Sequence, residues 1–424
     1  MPFIKRDSPF NQERYVLLDV TRAFARRWSS ANPTGIDRVC DAYVQYYRGD
    51  ALAVLQHRGI IRVLGKRQSD KLFDLLHPDR HYSRWSMLLV LALALFKPAA
   101  TAEYAGKIYV NPGHTDFDLG RHWAWVQSRG LRTLYLIHDL IPINRPDLTR
   151  PHATRRHRNR IINALTNAHG LIANSASTAS DLRHFASAHG LRRPPVLACH
   201  LGVDHVAMPE QALRHSCGHF VCVSTLEPRK NHRLLLNVWK RLIQNNAANA
   251  PKLVLIGQWG KQSSELHKML RDDSALAQRV TVLERCADPE MAYWVRTARA
   301  VLLPSAAEGY GFPLAEAMAL GTPVIASDLP CFREIGGKVP LLIPPTDAAA
   351  WLSAITQLLN DGREAKRQIG LLAQHRSQTW ANHFRVVDEW IASRPDDDTV
   401  TGPRCRQPLS ASFTNSAPVC RKTC

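Results

Sequence analysis

Two glutamates, two cations and a histidine carry the chemistry legible in this chain. Glu308 and Glu316 have seven residues between them, inside Val301 to Cys331 (VLLPSAAEGYGFPLAEAMALGTPVIASDLPC). Arg229 and Lys230 stand side by side in TLEPRKN, Thr225 to Asn231, and His138-Asp139 follows the apolar run Leu134 to Ile137. Carboxylates accept hydrogen bonds from hydroxyl groups, whereas a guanidinium and an ammonium neutralise phosphate oxygens, as a departing diphosphate requires. Backbone N–H groups of Gly309 to Phe312 precede a helix start, where anionic oxygens are favoured. Phosphate binders beside hydroxyl binders describe a nucleotide-sugar site. Taken alone, the two glutamates also read as an acid/base pair.

These side chains need elements to hold them. Ala300 to Leu303 reads as a buried strand, Pro304 to Phe312 as a loop, and Val324-Ile325-Ala326 as a second strand. Pro313 marks the start of the intervening helix and Gly321 its end. Strand, crossover helix and strand imply a parallel pair, with ligands beyond the carboxyl ends. The alternation runs twice. Tyr15–Val20, Ile108–Val110, Leu134–Ile137, Leu171–Asn174 and Val196–Ala198 read as strands of a first array. Phe220–Val223, Leu253–Ile256, Val280–Leu283 and the Val301–Cys331 unit continue a second. Two such arrays predict an α/β chain of two facing Rossmann-like, doubly wound domains with a cleft between them. The expected division is an N-terminal domain over 1–204, a linker over 205–219 and a C-terminal domain over 220–375. A C-terminal helix over 376–393 is expected to pack back on the first domain, ending a helical stretch from Ala365 to Ser393. The tail 394–424 is polar, rich in Pro, Ser and Thr, and expected to be disordered.

Composition narrows the partners. The 424 residues hold 55 Lys+Arg against 36 Asp+Glu, a net charge of +19. That balance suits a phosphorylated substrate or an anionic membrane surface. No aromatic-basic platform of the kind single-strand binders use appears, so nucleic acid is not the expected partner. The chain has no GxGxxG fingerprint followed by a ribose-binding acid, which disfavours NAD chemistry, and no Walker A motif. The 9 cysteines form no CxxC pair and read as reduced core residues, not a zinc site. Asp116-Phe117-Asp118 matches a short metal-binding pattern, but hard cations need more oxygen ligands, and it reads as a decoy. The N-terminal MPFIKRDSPFNQERY is polar and unlike a signal peptide, so a cytoplasmic enzyme is expected. Trp85 to Phe96 is too short to span a bilayer, which takes about 20 residues; it reads either as a core helix or as an interfacial one. Arg155, Arg156, Arg158 and Arg160 form the densest basic run, facing either solvent or anionic headgroups worth on the order of 1 kcal/mol per charge.

Set together, EGYGFPLAEAMALGTPVIAS, TLEPRKN, HDLIP (His138 to Pro142), ANS (Ala173 to Ser175) and TGIDRV (Thr34 to Val39) resemble glycosyltransferase family 4, in that family's order over roughly residues 10 to 390. The resemblance implies the B-type glycosyltransferase architecture and a retaining transfer from a nucleotide sugar without a bound metal. It implies that Glu308 contacts donor-sugar hydroxyls and Glu316 the ribose. Arg229 and Lys230 would bind the diphosphate, Gly309, Tyr310, Gly311 and Phe312 would offer backbone amides, and His138 would approach the donor sugar from the other domain. Gly35 would lie in the loop nearing the donor phosphates. Many family members carry arginine where Ser224 stands, which moves weight onto Arg229.

The TLEPRKN loop is similar to that of bacterial mannosyltransferases of exopolysaccharide or lipopolysaccharide O-antigen synthesis. GDP-mannose is therefore the expected donor, with a UDP-hexose or dTDP-rhamnose as alternatives. The expected acceptor is a polyprenyl-linked or other saccharide at the inner face of the cytoplasmic membrane, with peripheral contact to anionic lipid. An epimerase or phosphorylase of the same architecture, or a carbohydrate-binding scaffold, are the competing readings.

Overall fold

The computed structural model describes residues 15–29, 33–77, 83–96, 104–203, 218–260 and 262–394, with side chains outside the description at 93–96. The expected linker and tail fall almost wholly outside these residues, as does the N-terminal segment before Tyr15.

The short apolar runs form strands because both faces of each are covered, as in parallel sheets flanked by helices. In the first half these are β1 (Val16–Asp19), β2 (Ala51–His57), β3 (Ile60–Val63), β4 (Ile108–Asn111), β5 (Arg132–Ile137), β6 (Gly170–Ala173) and β7 (Val196–Ala198). They lie in the order β3-β2-β1-β4-β5-β6-β7. All neighbours are parallel except the β2/β3 pair. The second half supplies β8 (Phe220–Val223), β9 (Leu253–Ile256), β10 (Val280–Leu283), β11 (Ala300–Leu303), β12 (Val324–Ser327) and β13 (Leu341–Ile343). Their order is β10-β9-β8-β11-β12-β13, parallel throughout. In each sheet the order reverses beside the first strand, between β1 and β4 and between β8 and β11. Such reversal points open crevices at the carboxyl ends of the strands.

The structure corrects the sequence reading in two places. The β2/β3 hairpin is absent from it, because the turn is Arg58-Gly59, with φ of 50° and 82°. Both central residues of such a turn are left-handed, a position that asparagine or aspartate usually fills, so arginine hides the signal. The stretch from Ala365 to Ser393 is two helices, Arg363–Leu372 and Trp380–Ala392, not one. Thr379 starts the second by accepting a hydrogen bond from the Asn382 N–H.

That last helix belongs to the core of the first half. Phe384 stacks on Tyr46 at 3.8 Å and meets Tyr43 edge-on at 5.0 Å. Asp388 accepts hydrogen bonds from Tyr46 and Tyr47, and His383 pairs with the Tyr43 hydroxyl at 3.0 Å. The apolar segment before Lys97 is the helix Arg84–Phe96. It buries Met87 and Val90 but leaves Trp85 81% and Leu89 59% exposed, so it is half core and half surface. No helix among the described residues is long and apolar enough to cross a membrane.

Candidate active site

The loop after β8 is built to present cations. Pro228–Lys230 forms one 3-10 turn, and Asn231 ends it in the left-handed region at φ 56°. The Asn231 amide donates to the carbonyls of Pro304 and Pro345, 3.1 and 2.9 Å away, and the Ala306 N–H donates to the Arg229 carbonyl. These bonds fasten the β8 loop to the loop after β11, which carries Glu308. Arg229 Nη1 then reaches Glu308 Oε2 at 3.0 Å, and its other nitrogens bond Glu227. Lys230 Nζ and Ser305 Oγ both donate to Glu308 Oε1. Burial pushes the Glu308 carboxyl up, but the charges of Lys230 and Arg229 and the hydrogen bonds from Lys230 and Ser305 outweigh it and hold the group at about 2. Burial works against the Arg229 charge, yet Glu308, Glu227 and Asp139 raise its pKa further. Glu308 is thus held as a carboxylate between Arg229 and Lys230. Ser224, the position where the resemblance expects arginine, instead pairs with His232 Nε2 at 3.0 Å.

Glu308 leads into the helix Phe312–Ala319. Gly311, at φ 102°, turns the chain into it, and Pro313 is its second residue rather than its first. The far end is closed by Gly321: its N–H donates to the Met318 carbonyl, and that of Thr322 to Ala317, a Schellman motif. Among the described residues, the N–H groups of Gly309, Tyr310, Gly311 and Phe312 find no acceptor. Four adjacent donors at a helix start make an anion-binding edge.

The opposite wall comes from the first sheet, and the two touch. A β-carbon on Gly309 would stand 2.2 Å from the His138 carbonyl oxygen and 2.7 Å from the Asp139 β-carbon, so only glycine permits the approach. Ser175 and Thr178 donate to the Gly309 carbonyl at 3.0 and 3.3 Å. The Tyr310 side chain is spent on the joint, its hydroxyl donating to the Leu201 carbonyl at 2.6 Å, which leaves only its backbone for a ligand. Gly35 opens the helix Gly35–Tyr47, and Phe312 lies 3.2 Å from where its β-carbon would be. Arg38, one turn on, stacks over Phe312 and forms an ion pair with Glu316.

His138 follows β5, where it is buried with His114 and His157. The ring centroids of His114 and His138 are 4.9 Å apart, and those of His114 and His157 are 5.6 Å apart. His138 Nε2 is 2.7 Å from the Pro112 carbonyl. A carbonyl only accepts, so Nε2 carries the proton and Nδ1 keeps its lone pair. Burial pulls His138 down to about 4, against the opposing pull of the Pro112 carbonyl. Burial also pulls His114 well down, helped by His138 and His157, and lowers His157. The cluster is neutral at pH 7 and polar without charge.

The site residues read from sequence therefore converge: Arg229, Lys230 and Glu308 on one wall, His138 on the other, with Gly35, Gly309, Tyr310, Gly311, Phe312 and Glu316 along the seam. Arg38, His200, Ser305 and Glu334 were not singled out. Glu334 accepts hydrogen bonds from the N–H groups of Ala176 and Ser177, at 2.6 and 2.9 Å, and from His200 Nε2 at 2.6 Å. It caps a helix of the other domain, a contact that no spacing within one domain reveals. Arg38 sits inside the TGIDRV motif and was within reach. Asp116 and Asp118 are ion-paired to Arg156 and Arg160.

Comparison with known proteins bears on this geometry. Residues 218–361, which carry Arg229, Lys230, Glu308 and Glu316, match the family described as glycosyl transferases group 1. They form a group 1 glycosyltransferase domain. Among curated relatives, the serotype-specific mannosyltransferase WbdA of Escherichia coli is 28% identical over 227 residues, 50% of this chain and 28% of that protein. The O-antigen chain mannosyltransferase B of Escherichia coli is 32% identical over 167 residues, 39% of this chain and 43% of its own. The chain thus spans less than half the length of these two relatives. D-inositol 3-phosphate glycosyltransferase 1 of Catenulispora acidiphila is 25% identical over 325 residues, 70% of this chain and 75% of its own. Among solved structures, HepE of Anabaena with UDP-glucose superposes with a TM-score of 0.63 at 18% identity, covering 89% of this chain and 99% of that one. Sucrose-phosphate synthase of Thermosynechococcus elongatus gives 0.61 at 17% identity, covering 89% and 98%. The fold of this chain is the two-domain B-type architecture of those structures.

Proposed function

We propose that this protein is a retaining hexosyltransferase that moves mannose from GDP-mannose onto a polyprenyl-linked or other saccharide acceptor in bacterial surface polysaccharide synthesis. One observation carries the reading: two cations and a carboxylate held against each other on the group 1 domain, directly across the Gly309–His138 contact from a neutral histidine cluster. The similarity to O-antigen mannosyltransferases supports mannose as the sugar.

The donor diphosphate competes with Glu308 for Arg229 and Lys230. Its arrival releases Glu308 to accept hydrogen bonds from the sugar hydroxyls, while the free N–H groups of Gly309 to Phe312 meet phosphate or sugar oxygens. The acceptor hydroxyl oxygen bonds to C1 on the face from which the diphosphate leaves. The C1–phosphate oxygen bond breaks with its electron pair going to the phosphate, and the hydroxyl proton passes to that phosphate oxygen. Arg229 and Lys230 stabilise the charge that develops on the leaving group. His138, proton on Nε2, turns Nδ1 toward a sugar hydroxyl as an acceptor. No metal is required, because the cations that neutralise the diphosphate are in the chain.

Radiolabelled GDP-mannose incubated with the full chain and membrane lipid extract tests this. Labelled lipid product is expected, and free mannose or an epimerised nucleotide without it sinks the transferase reading. Thermal stabilisation by GDP over UDP is the expected donor signature; the reverse order reassigns the base. Glu308→Gln should retain GDP binding and lower transfer by roughly 10²-fold, and unchanged transfer would remove Glu308 from the site.

A further inference from the structure

A second concavity opens on the first domain, a solvent-facing basin of about 710 Å³ lined by Arg58, Arg121, His152, Arg155, Arg156 and Asn159 over a floor of Asp116 and Asp118. Its walls follow the carboxyl ends of three strands: Arg58 in the turn after β2, residues 116–121 after β4, and the helix Pro151–Asn167 after β5. It therefore shares the ligand-binding edge of the sheet with His138. The link is short, since the Phe117 ring, between the two floor aspartates, meets His114 at 5.5 Å, and His114 packs on His138.

The charges in the basin do not balance. Asp118 accepts from Arg156 Nε at 2.9 Å and Arg160 Nε at 3.2 Å, and Asp116 pairs with Arg156 at 3.5 Å and accepts from the Gly59 N–H at 3.0 Å. Both carboxylates are thus consumed by Arg156 and Arg160. Arg58, Arg121 and Arg155 have no carboxylate partner among the described residues. Three uncompensated guanidiniums around one hollow repel each other, and an anion relieves that repulsion. Guanidinium forks match phosphate oxygens in pairs. The helix Gly120–Ser128 begins at the same hollow, and the N–H groups of Gly120 and Arg121 have no acceptor among the described residues.

We propose that this basin binds the phosphate or diphosphate of a phosphorylated acceptor and thereby sets the acceptor hydroxyl toward the donor sugar. This rests on the transferase reading for its purpose but not for its binding chemistry, and two lesions separate the two. In isothermal titration of the full chain with inorganic pyrophosphate under saturating GDP, the donor diphosphate subsite is filled, and a pyrophosphate event is still expected. The triple variant R58Q/R121Q/R155Q should weaken that event by ~10²-fold with GDP affinity unchanged. K230A should lose GDP affinity and keep the pyrophosphate event. If GDP does not bind the native chain, the donor reading fails while the triple variant still reports on the basin. Equal pyrophosphate affinity in native and triple-variant chains overturns the basin, whatever GDP does.

The source of the phosphate is then read from farnesyl diphosphate and glucose 1-phosphate. A variant-sensitive preference for the first assigns a prenyl carrier, and for the second a soluble sugar phosphate. Variant-sensitive binding to phosphatidylglycerol vesicles with no change in pyrophosphate affinity overturns the proposal in favour of a membrane surface.

Discussion

The two sheets both reverse strand order beside their first strand and carry their working loops there, beyond the carboxyl ends, yet those loops are furnished in opposite ways. On the second sheet the crevice holds full charges at close range, with Glu308 kept ionised at about 2 by Lys230 and Arg229. On the first sheet the crevice holds neutral histidines beside a carboxylate, Asp19, whose ionisation burial disfavours. His114, His138 and His157 are all pulled down by burial, and burial lifts Asp19, at the end of β1, to about 6 against the hydrogen bonds it accepts. The contrast suits the transfer proposed above. A diphosphate has to be neutralised to bind and to leave, whereas a hydroxyl nucleophile needs orientation. Phosphate chemistry on the first domain is instead displaced to its rim, at the arginine basin.

The largest break in this contrast is expected from the charged side. Lys230→Ala leaves Glu308 buried with one cation in place of two and removes a stabilising charge from the leaving group. A loss of kcat/KM of ~10²–10³ is expected, together with loss of the thermal shift produced by GDP. Retained kcat/KM would mean that Arg229 alone carries the diphosphate. Gly309→Ala attacks the seam between the two kinds of crevice. Its methyl group has to enter the space of the His138 carbonyl, 2.2 Å away, so the walls must separate. Transfer should fall by about 10-fold or more, because a misplacement of 1 Å is costly to reaction geometry. Binding of GDP to the isolated wall should persist, and small-angle scattering should record a more open chain. Wild-type scattering and wild-type transfer in this variant would show that the contact is not maintained during turnover.

Much of this was legible without coordinates, for identifiable reasons. Parallel strands buried on both faces read as continuous apolar runs, so Val301 to Leu303 and Val324 to Ala326 declare themselves. Glycine and proline at fixed offsets then mark the loop and helix between them. The members of the charged site lie in two contiguous segments, Thr225 to Asn231 and Glu308 to Glu316, and this clustering made them visible. What escaped was non-local or disguised. The β2/β3 hairpin hid behind an arginine in a left-handed turn. The Glu334 cap on the helix starting at Ala176, and the Arg38–Glu316 pair, join residues 158 and 278 positions apart. The histidine cluster was half seen, His138 through its motif and His114 and His157 not at all, because nothing in their spacing records that the loop after β4 and the helix Pro151–Asn167 converge on the end of β5. The basic run at Arg155 to Arg160 was visible as charge, but only the fold divides it into Arg156 and Arg160, neutralised by Asp116 and Asp118, Arg158, held over Phe185, and Arg155, left facing the basin.

The smallest expected effect, and the sharpest on the contrast itself, is on stability against pH. A histidine whose folded pKa lies near 4 and whose unfolded value is 6.5 binds its proton first in the unfolded chain. Stability then falls as pH drops from about 6.5 toward 4, since the unfolded state binds more protons throughout that window. Asp19 has the opposite sign: its folded pKa of about 6 exceeds the unfolded 3.8, so between those values protonation favours the folded chain and offsets part of the loss. Glu308, held at about 2 against 4.5, contributes stability above pH 4.5 that is lost only as pH falls from there toward 2. The first domain should therefore loosen before the Glu308 cluster does. Amide exchange at pH 5 against pH 7 should show lost protection at β4, β5 and their loops, and at β8 where His232, also pulled by burial to about 4, packs on Ser224, while β11 stays protected. His138→Gln should blunt the exchange difference at β5 and, by removing the Nδ1 acceptor, lower transfer several-fold with GDP binding intact. Equal loss of protection in both sheets would mean that charged and neutral crevices are not separately built. Acid sensitivity would then belong to the interface they share, through His200 and Glu334.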